Sequence, residues 1–197
     1  MSEFLIYFEI GLHHVLDIHA YDHVLFLMAL VIPFTIKDWR RILLSVTLFT
    51  LGHTTALLLS VYEIMVIKAS VVELLIPITI LSTALFNLFT IGKTNRKESL
   101  NLIFLITLFF GVIHGLGFSN YFKTILGGSS GSKLVPLLEF ALGIEGAQIT
   151  VVIAVLILAY IMQSIFKFSK RDWILVSSSF IIGVVVPMIL ENEIWNQ

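Results

Sequence analysis

Long apolar runs alternate with short polar links along the whole chain, and the runs define the expected elements. Segment one, about Ser2 to Leu16, is apolar but short for a full crossing, and it carries Glu9, His13 and His14. A tilted, half-inserted or interfacial helix is expected there. Segment two, about Tyr21 to Ile36, has VLFLMALVIPF at its centre, with Pro33 as an expected kink. Segments three, four and five cover about Arg40 to Tyr62, Ser70 to Ile91 and Ser99 to Phe118. The linker from Ser119 to Lys133 contains GGSSGS, flexible by composition. Segment six, about Leu134 to Phe166, is long enough to tilt or overrun a bilayer. Segment seven runs from about Asp172 to Leu190, with Pro187 near its end. Several runs approach or exceed the ~18 apolar residues that mark a membrane-spanning helix. The expected architecture is all-α: one domain over residues 1–197, a polytopic transmembrane bundle of about seven segments, the first short or half-inserted.

Composition narrows this further. Of 197 residues, 58% are hydrophobic and 13% charged, against about 25% charged in soluble domains. No stretch is left for a soluble domain, and the lipid bilayer is the expected surrounding. A net charge of -1 and the lack of a basic patch argue against nucleic acid. The absence of cysteine excludes disulfides, thiolate metal sites and cysteine nucleophiles. The opening MSEFLIYFEI has no basic n-region and no small-residue cleavage site, so no cleaved signal peptide is expected.

The cations set an orientation. Lys37, Arg40 and Arg41 lie between segments two and three; Lys93, Arg96 and Lys97 between four and five; Lys167, Lys170 and Arg171 between six and seven. Only Lys68, Lys123 and Lys133 fall on the other side. The positive-inside rule makes the first set cytoplasmic and puts the C-terminal tail, with Glu191 and Glu193, outside.

Candidate chemistry sits in the histidines. Four of the six lie in Gly11 to Leu27, GLHHVLDIHAYDHVLFL, with Asp17 and Asp22 between them. His53 and His114 stand alone in later apolar runs, and Glu145 in a third. Ionisable groups in hydrocarbon cost several kcal/mol, so they face the bundle interior and mark a path or a site. Counting along helices at ~1.5 Å per residue, His53 lies about 12 Å, His114 about 7 Å and Glu145 about 15 Å below the outer face, with His23 at the outer start of segment two. This common depth predicts one metal site built from His14, Asp17, Asp22, His23, His53, His114 and Glu145. Thr50, Thr54, Thr55 and Gln148 are expected to orient the ligands, as hydroxyls and carboxylates do for metal-bound imidazoles. His13 and His19 are weaker candidates. The bland alternative for each buried polar group is an interhelical hydrogen bond. Imidazole with carboxylate and no thiolate suits Ni, Co, Zn or Fe(II). Gly111 with Gly115, Gly117, Gly52, Gly143 and Gly146 predict close helix packing around these groups.

Five blocks in order, HHVLDIHAYDHVLFL, FTLGHTT, VELLIPITI, FGVIHGLGFSNY and ALGIEGAQ, resemble the successive blocks of the HupE/UreJ family of small bacterial membrane proteins. The resemblance runs from about residue 11 to 150. It implies a nickel or cobalt permease of the inner membrane, associated with hydrogenase and urease gene clusters. On it, His14, Asp22 and His23 fall on the His and Asp-His of the first block, His53 on the Gly-His of FTLGHTT, His114 on the His-Gly of FGVIHGLGFSNY, and Glu145 with Gln148 on the acidic-Gln block. Ala20, Ala141 and Ala147 depart mildly from residues common in the family.

Two functions follow as expectations. The first is transport of a divalent metal, with Ser45, Thr47, Ser82, Thr83 and Asn87 as the best exit candidates through a polar-poor inner half. The second is a membrane zinc hydrolase acting on a lipid or peptide, for which HAYDH (His19 to His23) has the H-x-x-acid-H spacing. A metal ion is the expected partner in both, and a homo-oligomer stays open.

Overall fold

The computed structural model describes residues 2–18, 20–91, 100–127 and 132–196. Among them are seven α-helices and no strand: α1 (Glu3–Leu16), α2 (Asp22–Val31), α3 (Trp39–Val61), α4 (Ala69–Thr90), α5 (Leu100–Leu126), α6 (Leu134–Tyr160) and α7 (Lys170–Leu190). A 3-10 turn (Ile36–Asp38) leads into α3, and a π-helical turn (Ile161–Ile165) extends α6. Five helices are long and apolar enough to cross a membrane, and the chain is a multi-pass helical bundle.

Two expected boundaries move. Segment two is not a kinked crossing. Its helix ends at Val31, before Pro33, whose missing N–H and ring cannot continue the ladder. At 10 residues α2 covers about 15 Å, half of a ~30 Å hydrocarbon core. Segment five does not end at Phe118 but continues as α5 to Leu126. The extension keeps apolar residues at helical spacing, and both Phe122 and Leu126 are buried in the core. The GGSSGS linker then falls largely on residues 128–131, outside the described residues, as do His19 and the cations Lys93, Arg96 and Lys97.

Helix pairing is set by backbone-to-backbone contact at glycines. A Cβ on Gly111 would collide with the backbone of Phe49, and one on Gly115 with the backbone of His53. The register rises together on both helices, so α3 and α5 run parallel. A Cβ on Gly143 would strike Phe8 and one on Gly11 would strike Phe140, which makes α1 and α6 antiparallel. Gly146 departs from the expectation: a Cβ there meets only the Phe8 ring edge at 3.8 Å.

The links from α2 to α3 and from α6 to α7 meet at one end. Arg41 lies 3.9 Å from Asp38, and Lys170 is near enough to act on Asp38. A capping box of Ser169 and Asp172 starts α7 there, with Asp172 N–H donating to Ser169 Oγ at 3.1 Å. The C-terminal half of α4 reaches the same end, where Asn87 Nδ2 donates to the Ala29 carbonyl of α2 at 2.7 Å. We refer to it as the basic end. Of the tryptophans, Trp39 and Trp195 are exposed at helix ends, but Trp173 is buried.

Candidate metal site

α1 ends near His14 and α2 begins at Asp22, so the break between them sets two imidazoles at the tip of a helical hairpin. α3 and α5 deliver His53 and His114 at matched height, because Gly115 is seated against the His53 backbone. The four rings form one group. Ring centroids are 4.6 Å apart for His14 and His23, 5.5 Å for His14 and His53, 5.6 Å for His23 and His53, and 5.2 Å for His23 and His114. Ligand nitrogens of His14, His23 and His53 all lie within 4.8 Å of one another. An ion about 2.1 Å from each nitrogen in tetrahedral array would hold them about 3.4 Å apart.

The hydrogen bonds decide which nitrogens face the centre. Asp22 Oδ1 accepts from the His23 backbone N–H at 2.8 Å and lies 3.1 Å from His23 Nδ1. A carboxylate only accepts, so Nδ1 carries the proton and Nε2 presents a lone pair. Thr79 Oγ1 donates to the Ile76 carbonyl at 2.7 Å and lies 3.1 Å from His114 Nε2. With its own proton committed, Thr79 accepts from His114 Nε2–H, and Nδ1 holds the lone pair. Among the described residues His14 Nε2, His23 Nε2, both His53 nitrogens and His114 Nδ1 are buried without a hydrogen-bond partner. Each such orphan costs about 1–3 kcal/mol, and one nitrogen each of His14, His23 and His53 converges on one place.

Aromatic rings wall the group. Phe118 lies 3.9 Å from the His14 ring centroid and stacks on Phe140 at 5.2 Å. Phe49 and Phe26 each sit 5.1 Å from His114. On the open side a cavity of about 750 Å³ reaches the histidines, bordered by Glu9, His13, Asp17, Asp22 and Glu73 as well as His14, His23 and His114.

A family model described as HupE / UreJ protein matches residues 1–191. The chain belongs to the HupE/UreJ family. No curated protein and no solved structure matches it.

In this HupE/UreJ protein the expected residues divide into three sets. His14, His23, His53 and His114 come together, with Asp22 oriented on His23. Asp17 and His13 border the cavity rather than the ring group. Glu145, Thr50, Thr54 and Gln148 do not join it. Glu145 Oε1 accepts from Thr47 at 2.6 Å on an exposed flank of α3 and α6, and Thr50 donates to Gln148 Oε1 at 3.0 Å inside that seam. Thr55 bonds the Leu51 carbonyl, and Thr54 Oγ1 is buried with no hydrogen-bond partner among the described residues. The Thr47–Glu145 and Thr50–Gln148 bonds tie α3 to α6. The common-depth argument failed for Glu145 because depth says nothing about which face of a helix a residue occupies. Thr79, which orients His114, escaped the sequence reading; its only signal was a hydroxyl inside the apolar VELLIPITI block.

Asp22→Asn should keep the fold and weaken metal binding about tenfold to a hundredfold, because the amide can present its N–H to His23 Nδ1 and reverse the tautomer. Titration of purified protein with nickel against a competing chelator checks this.

Proposed function

We propose that this protein moves a divalent transition metal ion, nickel or cobalt, across the bacterial inner membrane through the histidine group. The observation that carries the reading is the convergence of one nitrogen each of His14, His23 and His53 beside a cavity that His14 and His23 border, in a chain with no thiolate. Neutral imidazoles without a thiolate suit nickel, cobalt or zinc, and the family's association with nickel and cobalt favours the first two. His14, His23 and His53 are the proposed ligands, His114 the fourth, and Asp22 the group that orients His23. Asp17 would meet the ion in the mouth. The basic end is proposed to be cytoplasmic, which puts the cavity and the C-terminus outside.

Transport needs a bound ion that also leaves. The test has two stages. Purified protein is assayed for metal by mass spectrometry before and after dialysis against a mild chelator, then for nickel uptake in liposomes. Exchangeable nickel or cobalt with uptake supports the reading. Zinc retained at one per chain, with no uptake, overturns it. That second result would favour a zinc hydrolase, for which the cavity of about 750 Å³ offers room for a substrate much larger than an ion.

A further inference from the structure

Towards the basic end, between α2, α4 and α5, lies a second cavity of about 180 Å³. Nine of its thirteen lining residues are apolar, Phe26, Phe34, Phe86 and Phe110 among them. Ser82, Thr83 and Asn87, expected on an exit path for the ion, border it with Thr107 but do not make it polar. Ser82 donates to the Ile78 carbonyl, Thr83 to that of Thr79 and Thr107 to that of Ile103, within one turn of its own helix. Asn87 gives an amide proton to the Ala29 carbonyl. A buried water needs two to four polar partners, and a void forfeits the dispersion contacts of its walls. An apolar occupant suits this space best. The cavity also has an open side: Phe86 of α4 and Ile106 of α5 both border it and are 44% and 39% exposed. In a multi-pass bundle an exposed apolar flank meets lipid tails, which are as apolar as leucine. A methylene is about as large as a water, ~30 Å³, so the cavity takes about six chain carbons.

A cationic hollow adjoins it. Pro33 and Phe34 border the cavity, and the chain runs on from them into Lys37, Trp39, Arg40 and Arg41. Lys37 is three residues past Phe34, so their Cα atoms are at most about 11 Å apart. Together with Asp38, these residues border a hollow of about 340 Å³. Asp38 is occupied: it accepts from the Thr35 N–H at 3.0 Å and the Thr35 hydroxyl at 2.9 Å, and lies 3.9 Å from Arg41. Three cations against one carboxylate leave the hollow positive. Trp39 is exposed, with the Arg40 guanidinium 5.3 Å from its ring centroid, and such rings sit at headgroup depth. An apolar slot and a cationic hollow this close together match the two ends of one molecule. We propose that they bind one phospholipid with an anionic headgroup, an acyl chain between α2, α4 and α5 and the phosphate at Lys37 and Arg40. Basic pockets beside membrane helices recognise anionic headgroups in this way. The site is independent of what the histidines bind.

Purified full-length protein in detergent is titrated with phosphatidylglycerol or phosphatidylcholine of equal chain length and read by native mass spectrometry. Wild type is expected to hold one phosphatidylglycerol at least fivefold more tightly than phosphatidylcholine. Lys37→Gln with Arg40→Gln should erase that preference and leave phosphatidylcholine binding unchanged. Thr107→Phe, which adds a ring at the cavity wall, should weaken both lipids at least tenfold; the milder Thr107→Leu should weaken them about threefold. A cooperative thermal transition shows that each variant is folded. Equal binding of the two lipids by wild type overturns the headgroup assignment and needs no variant. Undiminished phosphatidylglycerol binding in whichever Thr107 variant folds overturns the tail assignment. Glycerol 3-phosphate, which carries the phosphate without the chains, should not displace the lipid; displacement at equal concentration would reduce the site to one for a free anion.

Discussion

His53→Ala should lower nickel or cobalt affinity by at least about a hundredfold and leave the metal-free protein nearly as stable as before. Both effects come from the same burial. His53 is fully buried, and neither ring nitrogen has a hydrogen-bond partner. Truncating a large core side chain costs about 2–5 kcal/mol through lost contacts and the cavity left behind. Here the removed group is also an unsatisfied polar ring, and its removal returns about 1–3 kcal/mol. The two largely offset. The metal-bound state has no such compensation, since one of three converging ligands is gone. Thermal unfolding with and without nickel reads both at once. At a concentration of 100 Kd, wild-type protein gains about 2.7 kcal/mol from the ion, whereas a variant bound a hundredfold more weakly gains about 0.4 kcal/mol. His114→Ala should lose less, about tenfold, because its Nε2 is engaged by Thr79. His13→Ala, at the cavity border, should bind nickel within threefold of wild type. Wild-type nickel affinity in His53→Ala would remove His53 from the site.

The sequence was informative where one property decides the outcome. Apolar length alone decides whether a helix crosses, and segments three, four and seven appear within about two residues of their expected bounds. The scarcity of ionisable groups in those runs made His23, His53 and His114 stand out, and the structure gathers these three with His14. It was less informative where two helices must be compared. Glu145 and Gln148 share the face of α6 that meets Thr47 and Thr50 of α3, and nothing in one chain's spacing distinguishes that face from the one meeting the histidines. Local depth arithmetic failed for a similar reason. With α5 ending at Leu126, His114 lies about 18 Å from that end rather than about 7 Å. The four imidazoles still meet, because α2 is half-length and its first turn, with His23, starts deep in the bundle. Gly11 shows the converse. It opens the histidine-rich stretch, yet its packing against Phe140 depends on a helix more than a hundred residues away.

Gly111→Ala should destabilise the protein by about 3 kcal/mol or more, the upper end of the range for overpacking. The added methyl would overlap the Phe49 carbonyl and lie 3.0 Å from its Cα. Backbone atoms cannot rotate away as a side-chain tip can, so α3 and α5 must separate along their length. Gly115→Ala should be at least as severe, since its methyl meets the His53 backbone and, at 2.9 Å, the Ala56 Cβ. This second variant tests more than packing. Moving α3 away from α5 displaces His53 relative to His114 and spreads the imidazoles that have to converge on the ion. Nickel affinity should therefore fall in Gly115→Ala although no ligand is altered. Gly183→Ala is the control: nothing lies within 4 Å of its Cβ position, and alanine favours a helix interior by about 1 kcal/mol. Its unfolding temperature should be equal to wild type or higher, with nickel binding unchanged. If Gly115→Ala loses stability but binds nickel like wild type, the parallel α3–α5 contact supports the bundle without setting the spacing of the histidines.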